Sequence, residues 1–188
     1  MPIILRPFTR EDCARLIAWV NPGGAESFVH WAGTAFDYPL DEAQLAAHLA
    51  EAEGPRATWR LFAAVEEASG AVVGHVELSR LDLGNRSAMV SRLLVGDPAA
   101  RGQGVGAEIV TRLLEYAFGE IGLHRLTLNV LDFNLPAIRM YEDLGFKREG
   151  VFMEARRVGG SYWNAVYMAL LREAWEERRP QAGAAPPD

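Results

Sequence analysis

Apolar residues recur along the chain in two rhythms, one strand-like and one helical, and the changes between them divide it into elements. Residues 3–7 alternate as a short strand that Pro7 stops. Cys13, Leu16, Ile17 and Val20 then share one face at helical spacing, which predicts a helix over 10–20. Thr9, followed three positions later by Asp12, has the form of a capping box for it. Residues 21–39 mix Gly, Pro and aromatics and predict an irregular loop with at most one helical turn. Asp41 is placed to cap a second helix through about Glu53, which Gly54 and Pro55 end.

The rhythm then switches to period two. Residues 59–65 and 71–79 flank a turn at Ala68-Ser69-Gly70 and predict an antiparallel hairpin, followed by a strand over 88–95. A helix over 104–118, a strand over 126–131 and a helix over 134–144 come next, the last closed by Gly145 as its C′ residue. Two strands, 146–156 and 162–169, flank a Gly159-Gly160 turn, and a short helix runs to Arg178. The order predicts an α+β fold, mixed rather than regularly alternating. A single domain is expected over 1–178, with an Ala/Pro/Gly-rich flexible tail over 179–188.

Composition changes this picture mainly by exclusion. Apolar residues make up 49% and charged residues 23% of 188, as in ordinary globular proteins. A net charge of −6 argues against an extended nucleic-acid-binding face. Cys13 is the only cysteine, so no internal disulfide forms, and the four histidines show no metal-ligand spacing. No metal is expected. The start of the chain lacks the pattern of a signal peptide, and no stretch approaches the ~18 apolar residues of a membrane span. A cytoplasmic protein with no membrane partner is the expectation.

The chemistry is concentrated in Leu93-Leu94-Val95-Gly96-Asp97-Pro98-Ala99-Ala100-Arg101-Gly102-Gln103-Gly104-Val105-Gly106. An apolar strand runs through a proline turn into the glycine-rich start of an amphipathic helix. The first turn of a helix has unpaired N–H groups and the positive end of the macrodipole. Glycines there let a diphosphate approach the main chain, and Arg101 adds a charged donor fork. A Walker-type loop would need Lys-Ser/Thr where Ala107-Glu108 stands. A dinucleotide fingerprint would start directly after the strand, whereas residues 96–101 intervene here. A plain flexible turn is the remaining alternative.

A second block reads Asn134-Leu135-Pro136-Ala137-Ile138-Arg139-Met140-Tyr141-Glu142-Asp143-Leu144-Gly145-Phe146. Asn134 is a good N-cap, and Pro136 is tolerated in a first turn. Tyr141 shares a helical side with Ile138 and Leu144, so taken alone it reads as a core tyrosine.

Together the two blocks resemble the GNAT acyltransferase superfamily. Its Arg/Gln-x-x-Gly-x-Gly/Ala motif is met at Arg101, Gly104 and Gly106, and its Asn-x-x-Ala-x-x-x-Tyr-x-x-x-Gly-Phe pattern at Asn134, Ala137, Tyr141, Gly145 and Phe146. The likeness of layout covers about residues 3–175. Leu5-Arg6-Pro7-Phe8, Trp31-Ala32-Gly33 and Gly160-Ser161-Tyr162-Trp163 resemble the branch that holds ribosomal-protein N-terminal (alanine/serine) acetyltransferases and many small-molecule acetylators.

The resemblance implies a mostly antiparallel sheet of six to seven strands, splayed between the fourth and fifth. It implies that acetyl-coenzyme A binds there and that acetyl passes to a primary amine by direct attack in a ternary complex, leaving coenzyme A. Leu93, Leu94 and Val95 would hold pantetheine, and Arg101, Gly102, Gln103, Gly104, Val105, Gly106 and Ala107 the diphosphate. Asn134 and Ala137 would contact the cofactor arm, with Tyr141 near the sulfur as acid. Many relatives carry a Glu where Met89 stands, so Glu77, on the same side as His75, becomes the expected base. Solvent-facing polar residues are the plain alternative for that pair. Trp31, Tyr38 and Trp163 are expected to line an acceptor pocket. Peptide N-termini, polyamines, aminoglycosides and amino sugars all fit as acceptors, the acidic net charge favouring a cationic one. A coenzyme A-binding sensor without catalysis is the alternative function. The exposed edge of the last strands is a candidate homodimer surface.

Overall fold

A computed structural model describes residues 1–54 and 57–178; residues 55–56, with the expected helix stop at Pro55, and the tail 179–188 lie outside the described residues. The elements run β1 (Ile3–Pro7), α1 (Arg10–Val20), α2 (Gly24–Ala32), α3 (Glu42–Ala52), β2 (Arg60–Glu66), β3 (Val72–Asp82) and β4 (Ser87–Val95). They continue through α4 (Val105–Leu114), β5 (Arg125–Leu131), α5 (Leu135–Asp143), β6 (Lys147–Val158), β7 (Ser161–Leu171) and α6 (Arg172–Arg178). All seven strands form one sheet in the order β1-β2-β3-β4-β5-β7-β6. Every pairing is antiparallel except β4–β5.

Helices cover both faces. Ile109, Val110, Leu113 and Leu114 of α4 pack with Phe118, Ile138 of α5 and Tyr141 against Val76, Leu78, Val90, Leu126 and Leu128. On the other face Leu16, Val20, Phe28, Leu45 and Leu49 from α1–α3 pack against Leu61 and Ala63. Each fully buried aliphatic side chain contributes about 1.5–3 kcal/mol, so both layers are firmly held to the sheet. The start of α1 is fixed as its spacing predicts. The Asp12 carboxylate accepts from the Thr9 N–H at 2.9 Å, and both its oxygens take the Arg6 guanidinium at 2.7 Å.

Two expectations need correction. Residues 24–32 form a helix, not a loop, because Phe28 and Ala32, four apart, bury one face. Pro22 and the neighbouring glycines mask that signal in the sequence. The helix expected over 104–118 stops being α-helical at Leu114, and Glu115–Glu120 continue as a π-turn. There the Ile121 N–H donates to the Tyr116 carbonyl, five residues back.

Candidate active site

β4 and β5 pair only through Ser87–Arg125, Ala88–Leu126 and Met89–Thr127, and beyond that level they part. A cavity of about 700 Å³ occupies the gap. It is lined by residues 29–35 from the α2 side and by Asn134, Ala137 and Tyr141 from the α5 side, so it passes through the sheet.

The β4 wall of this passage is shaped by a bulge. His75 pairs with Leu94 and Glu77 with Ser91, so β4 spends one extra residue over that step. Arg92 takes the strain, with φ of 49°. A side chain in that region costs on the order of 1–2 kcal/mol, and two contacts hold it there. The Trp31 indole N–H donates to the Arg92 carbonyl at 3.0 Å, and the Arg92 guanidinium lies 2.7 Å from the Glu77 carboxylate.

After the bulge, the Gly96 N–H donates to the Val73 carbonyl of β3. By strand alternation the Leu94 peptide also faces β3, while the Leu93 and Val95 N–H groups face the gap. Leu93 lines the cavity, and Leu94 buries its side chain in the α1–α3 layer. Of the three residues expected to hold pantetheine, the backbone therefore aims Leu93 and Val95 at the gap and Leu94 away from it.

The glycine-rich segment begins where β4 ends. Gly96 has no room for a side chain, since a Cβ there would run into the Trp19 ring. Arg101 folds back instead of reaching out. Its Nε donates to the Val95 carbonyl at 3.1 Å and a terminal nitrogen to the Gly96 carbonyl at 3.3 Å, closing the loop. Gln103 does likewise, donating to the Ala99 carbonyl at 2.6 Å. Gly104 caps α4 with φ of 77°, and the Glu108 N–H is the first to donate back, to the Gly104 carbonyl. The N–H groups of Val105, Gly106 and Ala107 therefore point out of the helix start. A Cβ on Gly102 or Gly104 would meet nothing within 4 Å, so space for an anion lies directly over these donors. Gly104→Val would put a branched side chain into that space on a left-handed residue. It is expected to weaken coenzyme A binding by at least about tenfold, read by calorimetry. An unaltered affinity would remove the helix start from the binding site.

Across the gap, α5 presents Tyr141. Its ring packs edge-on against Phe146 at 5.6 Å, is 7% exposed and lines the cavity. Burial pushes its phenol well above the ordinary tyrosine range, so it keeps its proton at any working pH. Asn134 caps α5, its side-chain oxygen accepting from the Ala137 N–H at 3.3 Å, and both residues line the cavity.

Glu77, expected as the base, is placed differently. Both Glu77 and His75 are 1% exposed, so neither faces solvent. The Glu77 carboxylate accepts from Nε2 of His48 at 3.1 Å and Nε2 of His75 at 3.0 Å, besides its pairing with Arg92. Burial raises its pKa, but the two histidine hydrogen bonds and the Arg92 charge outweigh this and hold it well below the usual carboxylate range. The group does not line the cavity. Saturated with donors beneath Arg92, it is an anchor for that residue and a poor proton acceptor.

Of the aromatics expected at the acceptor end, Trp31 lines the cavity. Tyr38 instead packs on Phe28 and donates its hydroxyl to the Asn21 carbonyl at 3.3 Å. Trp163 stands behind Phe133, 4.8 Å between centroids, and Phe133 is the one that lines the cavity. Sequence reasoning missed Arg80, Arg92, Arg156 and the end of α2. Arg92, a lone charge inside an apolar strand, was the one readable signal.

A sheet whose single parallel pair parts at mid-length, with a bare helix start at one mouth and a proton-holding phenol inside, is the architecture of the N-acetyltransferases. Residues 3–147 match the acetyltransferase (GNAT) domain family, and the chain belongs to it. It is 31% identical over 114 residues to spermidine N(1)-acetyltransferase of Vibrio cholerae, covering 61% of this chain and 65% of that one. It is 29% identical over 107 residues to the putative ribosomal N-acetyltransferase YdaF of Bacillus subtilis, covering 57% of each. In both cases the match spans less than two thirds of the relative's length. The fold is also that of the crystal structure of spermidine N-acetyltransferase from Vibrio cholerae in complex with CoA and spermine. The TM-score is 0.80 at 23% identity, over 93% of this chain and 98% of that one.

Proposed function

We propose that the chain is an acetyl-CoA-dependent N-acetyltransferase that transfers acetyl to a primary amine by direct attack in a ternary complex. The observation that carries this reading is the passage through the sheet, with a cradle of free N–H groups outside it and a protonated Tyr141 within. The diphosphate would rest on Val105, Gly106 and Ala107, and the pantetheine amides would meet the gap-facing groups of Leu93 and Val95. Arg101 and Gln103 keep the cradle open by closing the loop behind it. The bound thioester supplies an activated acyl carbon and a thiolate leaving group.

Tyr141 holds a proton for that thiolate, and the Leu93 N–H faces the gap where the carbonyl oxygen would gather charge. The amine attacks the acyl carbon, the carbon–sulfur bond breaks, and the departing sulfur takes the phenol proton; the proton shed by the new amide nitrogen passes through water to the phenolate and restores it. No carboxylate among the described residues lines the cavity, so the amine must arrive neutral or lose its proton to water. An α-amine, with a reference pKa of about 7.7–8.0 against about 10.4 for lysine, meets that condition more easily.

The missing base also keeps a second reading in view, a coenzyme A-binding sensor with little turnover. The test is release of free thiol from acetyl-CoA on adding a panel of amines and N-terminal peptides, with the acetylated product confirmed by mass. Amine-dependent release is expected. Tight coenzyme A binding with no release for any acceptor would leave the sensor.

A further inference from the structure

The acceptor half of the passage carries arginines and no acids. Arg80, Arg92, Arg156 and His30 line it, and among the described residues no aspartate or glutamate does. The Arg92 charge is answered from below by Glu77. Neither Arg80 nor Arg156 pairs with a carboxylate among the described residues; Arg156 only touches its neighbour's carbonyl, at Ala155. The chain's net charge of −6 is thus distributed away from this cavity, so that charge by itself does not speak for a cationic acceptor here.

These two cations are not part of the diphosphate cradle. Arg80 leaves β3 at a bulge beside Ser79, which pairs with Met89. Met89 stands six residues before Val95, about 20 Å along the strand. Arg156 belongs to β6, three strands from β4 in the sheet order and on the far side of the split. Both line the cavity, which residues 101–107 of the helix start do not, and neither guanidinium meets a carboxylate among the described residues.

Guanidinium forks without a carboxylate partner recognise carboxylate or phosphate. A polyamine that has given up one proton still carries ammonium groups, and here they would meet uncompensated positive charge. Resting on the acetyltransferase reading above, we infer that the acceptor is a small primary amine carrying an anionic group, held by Arg80 and Arg156 while its amine turns toward Leu93 and Tyr141. The class excludes polyamines as preferred acceptors, although spermidine N-acetyltransferases share the fold.

The test compares L-aspartate, O-phosphoethanolamine and spermidine as acceptors by thiol release, in the native chain and in the double variant R80E/R156E. The native chain is expected to favour one of the two anionic amines over spermidine by at least about tenfold in kcat/KM. Which of the two it favours separates carboxylate from phosphate recognition. The charge reversal should cut that value about tenfold or more and improve spermidine, with coenzyme A affinity unmoved. Preference for spermidine in the native chain, or a ratio that charge reversal leaves in place, overturns the inference. If no amine releases thiol although coenzyme A binds, the transferase reading fails. Calorimetry of the two anionic amines on the CoA-loaded protein then decides: binding lost in R80E/R156E upholds the arginine site, and no binding removes it.

Discussion

Replacing Tyr141 by phenylalanine is expected to lower kcat by about 10² or more while coenzyme A affinity stays nearly constant. The ring sits between α5 and the cavity and packs on Phe146, and phenylalanine fills the same volume. Only the hydroxyl is lost. Among the described residues no hydrogen bond uses that hydroxyl within the fold, so removing it leaves no buried partner stranded. A departing alkyl thiolate is a basic leaving group, and general acid assistance is typically worth about 10² to 10⁴ in rate. Single-turnover thiol release, beside calorimetry with coenzyme A, separates chemistry from binding. A kcat equal to the native value would take Tyr141 out of the acid role.

The second large effect concerns stability. Glu77→Ala removes the only carboxylate among the described residues that pairs with Arg92. The Arg92 side chain is 7% exposed, boxed between the rings of Trp59 at 4.8 Å and Phe36 at 5.3 Å, and its Nε already has no partner. Breaking a buried ion pair from one side typically costs about 3–5 kcal/mol, because the remaining charge stays desolvated. For a chain of this size that is a loss of roughly 6–20 °C in Tm. The pH dependence has a definite sign. The folded carboxyl is depressed below its unfolded value, so its contribution is fully present above about pH 4.3 and fades as pH falls beneath it. Glu77→Gln should flatten this acid limb. Thermal melts of the three proteins between about pH 3 and 7 measure both effects, and a Tm unaltered by Glu77→Ala would mean the cluster holds nothing together.

Much of the architecture was legible because local chemistry and tertiary packing agreed. The Thr9–Asp12 cap, the apolar face of α1, the Gly145 stop of α5 and the glycine start of α4 are each written within a few residues of where they act. The mostly antiparallel sheet and the split between its fourth and fifth strands came through the resemblance of two motifs, not through periodicity. What escaped depends on residues far apart in the chain. His48 and Glu77 meet across 29 positions, and nothing in either neighbourhood announces the meeting. Glu77 therefore read as a free acid when the fold makes it a buried anchor. The charge of Arg101 is visible in the sequence, while the Val95 and Gly96 carbonyls it satisfies are not. The arginines of the acceptor wall belong to three separate strands, β3, β4 and β6, so no window of sequence brings them together.

The extra residue in β4 has a consequence for how such a strand can change. A pleated ribbon alternates its two sides, and Arg92 resets the count partway along. Ahead of it, odd-numbered Met89 and Ser91 look into the acceptor chamber; behind it, odd-numbered Leu93 and Val95 look toward the donor helices. Straightening the strand with that residue kept would shift everything after it by one place. Its final third would turn over, pairing the Leu93 and Val95 amides with β3 and swinging Leu94 off the α1–α3 layer.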